Sequence, residues 1–72
     1  NIAMTLTPQN GQFYVFFCLN TNTGSTITLG GSFTWDGTND VATFDADGET
    51  LTVFFQNGRA VVISNPQTVV FS

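Results

Sequence analysis

The stretch FYVFFCLN, residues 13–20, decides how this chain can fold, because it is apolar on both sides of a strand. Successive side chains of a strand point to opposite faces. The two faces are Phe13, Val15, Phe17 and Leu19 on one side, and Tyr14, Phe16 and Cys18 on the other. A strand with one face in water alternates apolar and polar residues. Something must therefore cover both faces of this strand.

The rest of the chain repeats the strand pattern in short segments. No window shows the 3.6-residue apolar period of a helix, and Gly, Asn, Asp and Pro separate the apolar runs. Asn10-Gly11 and Asn57-Gly58 each predict a two-residue hairpin, because type I′ turns need positive φ at both central residues. We predict one all-β domain over residues 1–72, a small antiparallel sandwich or flattened barrel. Its roughly eight short strands are residues 2–7, 13–20, 26–29, 32–35, 41–44, 50–56, 59–64 and 68–72.

Alternation along these strands predicts two apolar layers. The first is the predicted core: Phe13, Val15, Phe17, Leu19, Ile27, Leu29, Phe33, Trp35, Leu51, Val53, Phe55, Val61, Ile63, Val69 and Phe71. The second lies on the opposite faces: Tyr14, Phe16, Cys18, Phe54, Val62 and Val70. A curved sheet could bury both layers inside one chain. We favour the other interpretation, in which the second layer is a subunit interface, because monomers rarely expose large apolar patches.

The length of the chain favours the same interpretation. A domain of 72 residues buries a core that is barely sufficient, and small scaffolds usually need a disulfide, a metal or a partner subunit. Cys18 is the single cysteine, so no disulfide can form within the chain. Histidine is absent, which removes the common zinc and copper ligand sets. Oligomerisation is the remaining source of stability, and we expect no cofactor.

The composition excludes several classes of partner. The net charge is −4, and Arg59 is the one cationic side chain, whereas nucleic acids and anionic lipids need many Lys and Arg residues. No apolar run approaches the roughly 20 residues that span a bilayer. No signal peptide is visible, and the first residue is Asn rather than Met, which is consistent with processing, trimming or excision from a longer protein. We therefore expect neither nucleic-acid nor membrane binding.

The acidic residues form one group, and its tightest run is DADGE, residues 45–49. All five acids lie between residues 36 and 49: Asp36, Asp40, Asp45, Asp47 and Glu49. Asp45, Asp47 and Glu49 could supply carboxylate oxygens to Ca²⁺, as in the first half of an EF-hand loop. The run lacks the distant Glu and the flanking helices of that motif. We favour turn formation, which Asp promotes by bonding its own backbone.

The sequence predicts no catalytic site. A serine or cysteine nucleophile would lack its base, because the chain has no His and no Lys. A pair of glycosidase carboxylates would need a substrate cleft, for which a domain of this size has little room. Cys18, amid apolar neighbours, is expected to be a buried small hydrophobe rather than a reactive thiol.

Two side chains carry further hypotheses. Trp35 precedes Asp36-Gly37 at a turn, where an exposed indole could stack on a sugar ring. We favour a core Trp that closes the end of the sandwich. Arg59 could form an ion pair between subunits, although a surface pair contributes little to stability.

Residues 21–66, TNTGSTITLGGSFTWDGTNDVATFDADGETLTVFFQNGRAVVISNP, resemble the small all-β modules of tailed-phage virion proteins. Tail-fibre, spike and head-decoration segments share this order of strand, Ser/Thr/Gly strand, "DG" turn, acidic "DGETLTV" step, tight turn and apolar strand. In such modules the strand after the tight turn often carries a Trp, which RAVVISN lacks. The resemblance implies a homotrimer whose apolar sheet faces meet on the threefold axis, located in a virion or outside the cell.

These observations together predict a non-enzymatic structural module that self-associates through an apolar sheet face, with other virion proteins as further partners. One alternative is a small carbohydrate- or receptor-binding module that uses Trp35 and the acidic turns. A second alternative is a surface-fibre subunit that polymerises through an open strand edge, because FYVFFCL is an aggregation hazard on an edge.

Overall fold

The computed structural model describes residues 2–19 and 24–72. Asn1, Asn20 at the end of the second predicted strand, and residues 21–23 after it lie outside the described residues. The described residues contain seven strands and no helix. The strands are β1 (Ala3–Leu6), β2 (Phe13–Phe17), β3 (Ser25–Leu29), β4 (Val41–Phe44), β5 (Thr50–Gln56), β6 (Arg59–Ser64) and β7 (Val70–Phe71). The predicted all-β class is confirmed, with seven strands in place of about eight.

The strands form two sheets that pack as a sandwich. The first sheet has the order β1-β3-β4-β7, and the second has the order β2-β5-β6. Strands β1 and β3 are parallel, whereas the other pairs are antiparallel. The predicted antiparallel sandwich therefore contains one parallel pair.

The two Asn-Gly turns behave differently. Asn57 and Gly58 have φ values of 56° and 72°, and they join β5 to β6 as the predicted hairpin. At the other turn Gly11 has a φ of 89°, whereas Asn10 is not in the positive region, and β1 and β2 belong to different sheets. The Gln12 N–H donates to the Gln9 carbonyl at 3.2 Å, so the turn closes, but β1 pairs with β3 rather than with β2. The predicted first hairpin is therefore wrong.

The segment at residues 32–35 is a loop rather than the predicted strand. Gly31 and Ser32 both have positive φ, at 65° and 64°, which turns the chain sharply at this point. Within the segment only Thr34 makes a bridge, to Arg59 at the start of β6. This loop joins β3 to β4 of the first sheet, touches the second sheet through the Thr34 bridge, and places Trp35 between the two sheets.

The core lies between the sheets and is built around Trp35. The indole is fully buried, stacks on Phe71 with ring centroids 5.6 Å apart, and meets the edge of Phe16 at 5.9 Å. Its Nε1 donates a hydrogen bond to the carbonyl of Ile27 at 3.3 Å, so its polar atom is satisfied. The predicted core residues that are buried, or packed against the core, are Ile27, Leu29, Phe33, Trp35, Leu51, Val53, Phe55, Val69 and Phe71.

The predicted faces of β2 are inverted in the structure. Tyr14 lies opposite Val53, and Phe16 lies opposite Leu51, and both β5 residues point into the core. Directly opposed residues share a face, so pairing with β5 turns the even-numbered residues of β2 inward. The predicted core residues that are exposed instead are Phe13, Val15, Phe17, Leu19, Val61 and Ile63. Because both faces of β2 are apolar, the alternation alone could not decide between them.

Candidate functional site

The outside of the second sheet carries an exposed apolar face. Phe13, Val15 and Phe17 of β2 are 58%, 62% and 61% exposed. The register places Phe13 beside Phe54, and Phe54 beside Val61, in one row across all three strands. We call Phe13, Val15, Phe17, Phe54 and Val61 the outer apolar face. Exposed contiguous apolar patches of this kind mark interaction sites in soluble proteins.

The outer apolar face is almost free of charge. Strands β2 and β5 contain no charged residue, and β6 contributes only Arg59 at its first position. Ile63, which lies at a bulge two residues after Val61, extends the exposed apolar surface along β6. Interface cores are depleted in charged residues and enriched in aromatic ones, and this face has that composition.

The six residues predicted to form an interface do not share one surface. Tyr14, Phe16 and Cys18 face the core, where the Tyr14 ring meets Phe55 edge-on at 5.6 Å. Phe54 lies on the outer apolar face. Val62 is partly exposed on β6, and Val70 is exposed on the other sheet. The predicted patch is therefore wrong as a set, whereas the expectation of an uncovered apolar sheet face is met by other residues.

Cys18 held a signal that the pattern analysis did not use. The thiol is buried, and burial raises its pKa, with the carboxylates of Glu49, Asp47 and Asp45 raising that pKa further. Cysteine is among the residue types most often buried, so its presence on one face of the 13–19 segment marks that face as the inner one. Phe13, Val15 and Phe17, which the sequence analysis missed, could have been assigned to the surface from this signal, whereas no signal in the sequence placed Val61 there.

The acidic turn is organised around its own backbone. Glu49 is 1% exposed, and its Oε1 accepts hydrogen bonds from the N–H groups of Asp45 at 2.7 Å and Ala46 at 3.1 Å. No group of three His, Cys, Asp or Glu side chains within residues 2–19 and 24–72 is placed to hold a metal ion. The structure therefore does not bring Asp45, Asp47 and Glu49 together as a calcium site.

The loop after Trp35 is organised in the same way by Asp36. Its Oδ1 accepts from the backbone N–H of Asn39 at 2.7 Å and of Thr38 at 3.0 Å, and its Oδ2 accepts from the side-chain amide of Asn39 at 2.9 Å. The backbone bonds from Asn39 and Thr38, followed by the Asn39 side chain, lower the pKa of Asp36. Trp35 beside this loop is fully buried, as the favoured core position requires, and the alternative of an exposed indole that stacks on a sugar loses its support.

Two smaller features complete the surface. The guanidinium of Arg59 lies over Gly37, where an added Cβ would be 3.4 Å from Nη1. The ion pair that Arg59 could form between subunits stays a prediction.

An apolar cleft of about 140 Å³ opens between β1 and β2, and Met4, Phe16, Cys18 and Phe44 are among its lining residues. Small-molecule sites usually occupy about 300–1,000 Å³, so this cleft is too small for a ligand of ordinary size.

Comparisons with protein-family models, with curated proteins and with solved structures find no match to this chain. Among the described residues, no helix is long and apolar enough to cross a membrane.

Proposed function

We propose that this chain is a non-enzymatic structural module that self-associates through its outer apolar face, as a subunit of a viral particle. The observation that carries the proposal is the row of Phe13, Phe54 and Val61, which crosses the second sheet with no charged side chain among its members. A second copy of the chain is the occupant that fits best, because the face is uncharged and therefore meets its own copy without repulsion at the contact.

The magnitude of the expected contact supports self-association. Burial of a large apolar side chain contributes about 1.5–3 kcal/mol, and the five side chains of each outer apolar face are already partly covered. Association costs about 4–15 kcal/mol of lost freedom. Two copies of the face therefore provide a gain of the same order as the cost, so that shape complementarity decides the affinity.

The virion setting is supported by the likeness of residues 21–66 to tailed-phage modules and by a surface built from Thr, Ser, Asn and Gly in place of charged residues. An extracellular or virion location belongs to the same proposal, and the resemblance favours a homotrimer, which the native mass tests. The absence of His and Lys from the whole sequence supports a non-enzymatic role, because the usual bases and nucleophile partners are missing.

A fibre subunit is the second candidate function. Among the described residues, β2 is the first strand of the second sheet and has β5 as its neighbour on one side only, which supplies the open edge that this hypothesis needs. A carbohydrate-binding module loses its main support, because Trp35 is buried.

The test is the absolute mass of the native protein, measured by light scattering on a sizing column, for two matched variants. Val61 lies on the outer apolar face, Val70 lies on the other sheet, and both are 50% exposed. Val61→Asp should lower the native mass while the domain stays folded, whereas Val70→Asp should keep the wild-type mass. The near-ultraviolet circular dichroism of each variant shows whether it is folded.

A wild-type monomer at high micromolar concentration, or equal masses for the two Asp variants, would overturn the proposal. If Val61→Asp unfolds, Val61→Thr keeps the β-branched shape and should weaken association while the domain stays folded. A wild-type mass that grows without limit would favour the fibre subunit over a closed particle component.

A further inference from the structure

We propose that two copies of this chain pair through the free edges of β2, antiparallel and centred on Val15, so that their second sheets become one continuous sheet. The inference rests on the proposed self-association and specifies its partner, a second copy, and its geometry. The occupant is fixed by the direction of backbone groups on β2, by the state of the other sheet edges and by the symmetry of the strand.

The backbone of β2 presents unused hydrogen-bonding groups at alternate residues. The N–H of Cys18 donates to the carbonyl of Glu49 at 2.8 Å, and the carbonyl of Gln12 accepts from the N–H of Phe55 at 2.8 Å. The even-numbered residues therefore direct their backbone N–H and C=O groups toward β5. In an antiparallel pair this direction alternates along the strand. Phe13, Val15 and Phe17 therefore point their N–H and C=O groups away from β5. Within residues 2–19 and 24–72, no other strand pairs with this edge.

The other sheet edges carry protection that β2 lacks. Natural edges are shortened, charged, bulged or covered, because an open edge recruits other strands. Strand β7 has two residues, and β6 carries Arg59 and a bulge and is covered at its start by the bridge to Thr34. Strand β1 has four residues and is followed closely by Pro8. Strand β2 has five residues, FYVFF, with no charge and no Pro.

The strand is also suited to pair with itself. A two-fold axis normal to the sheet at Val15 would place Val15 opposite its own copy and Phe13 opposite Phe17 of the second copy. At all three positions the backbone N–H and C=O point away from β5. Each residue therefore forms two backbone hydrogen bonds with the residue opposite it in the second copy. Such a contact is isologous and closes after two subunits. Aromatic side chains placed opposite each other across strands stabilise the pair further.

The pairing joins the two outer apolar faces into one. An axis normal to the sheet keeps Phe13, Val15 and Phe17 of both copies on the same side, beside each other. The paired unit then presents one joined apolar face, through which it can form the larger assemblies of the proposed function. Every such assembly contains an even number of chains. This expectation differs from the trimer that the phage resemblance implies, so the native mass separates the two.

Val15→Pro tests the pairing without removing a bond inside the monomer. Proline is tolerated on an edge strand where the N–H faces solvent, and the N–H of Val15 points away from β5. Val62→Pro is the matched control: it lies on the opposite edge strand of the same sheet. Ala60, two residues before it, donates off the sheet to Thr34, so the N–H of Val62 also points off the sheet. We expect Val15→Pro to have a smaller native mass than the wild type by light scattering, and Val62→Pro to keep the even-numbered wild-type mass.

Amide hydrogen exchange of the wild-type protein provides a readout that needs no variant. The amides of Phe13, Val15 and Phe17 should exchange at least tenfold more slowly in the associated protein than after dilution to the monomer. Fast exchange at all three amides in the associated protein, an unchanged mass for Val15→Pro, or a trimeric wild type would overturn the pairing. If Val61→Asp dissociates the protein while Val15→Pro does not, self-association through the face stands and the edge pairing fails.

Discussion

Glu49 holds the backbone of Asp45, four residues before it, through a 2.7 Å hydrogen bond from the Asp45 N–H to Oε1. The same oxygen accepts the N–H of Ala46, and Gly48 turns the chain with a φ of 82°. The acidic run is thus a closed turn whose buried carboxylate satisfies its own backbone. It also sets the start of β5, because the Glu49 carbonyl accepts from Cys18.

Replacement of Glu49 should therefore destabilise the fold whether or not calcium is present. Glu49→Ala removes the acceptor for two N–H groups and should lower the free energy of unfolding by about 1–3 kcal/mol. Glu49→Gln should cost less than Glu49→Ala, because it keeps an acceptor oxygen, but it should still cost stability, because hydrogen bonds to a neutral acceptor are weaker than those to a carboxylate. Urea unfolding followed by circular dichroism measures both changes.

Asp47→Ala is the control for this prediction, since Asp47 is an exposed acid of the same turn and should change stability little. Each protein is unfolded with EDTA and with millimolar Ca²⁺. An unfolding midpoint that rises with Ca²⁺ in the wild type but not in Glu49→Gln would restore the calcium site that the turn geometry argues against.

The hairpin of β5 and β6 shows what the sequence could predict well. Leu51, Val53 and Phe55 alternate with Thr and Phe, and Asn57-Gly58 supplies two residues that tolerate positive φ. Local pattern and turn chemistry agree there, and the structure has both strands with the predicted bounds. The Asn10-Gly11 turn carries the same local signal, but there the partner of β1 is distant in sequence. Local chemistry does not contain that information.

The sequence predicted an uncovered apolar sheet face, but it assigned the wrong residues to that face. An uncovered apolar sheet face follows from the composition of β2, because both of its sides are apolar. Which side is covered depends on the pairing of Phe16 with Leu51, a contact between strands that are far apart in the chain. Because side chains alternate along a strand, a shift of one residue moves every side chain to the opposite face. The uncertain pairing of β2 was therefore enough to place Val15 in the predicted core instead of on the surface.

The loop that supports Trp35 should lose stability at acid pH through Asp36. Hydrogen bonds from Asn39 and Thr38 lower the pKa of this carboxyl in the folded protein, below the value of about 3.9 in unfolded chains. A carboxyl with a depressed pKa stabilises the fold above its unfolded pKa, and the contribution is lost as the pH falls through the folded pKa. Asp36→Asn should thus be less stable than the wild type at pH 7, and the difference should shrink below about pH 4.

This difference is measured as the urea midpoints of both proteins from pH 7 to pH 2.5. Asp47→Asn is the control, because it removes one exposed carboxylate from another turn. The gap between the wild type and Asp47→Asn should stay small throughout. A gap for Asp36→Asn that remains constant down to pH 2.5 would show that the Asp36 charge does not stabilise the loop.

The fluorescence of Trp35 should report a buried indole that does not respond to sugars. The chain has one Trp, which is 0% exposed, stacked on Phe71 and bonded to the Ile27 carbonyl. Its native emission should be blue-shifted and almost unaffected by iodide, whereas the protein unfolded in guanidinium should be quenched strongly. Trp35→Ala should cost about 3–5 kcal/mol, a large share of the 5–15 kcal/mol typical of a domain. Native quenching equal to that of the unfolded chain, or an emission change on addition of mono- or oligosaccharides, would contradict the core position and return the carbohydrate-binding hypothesis to first place.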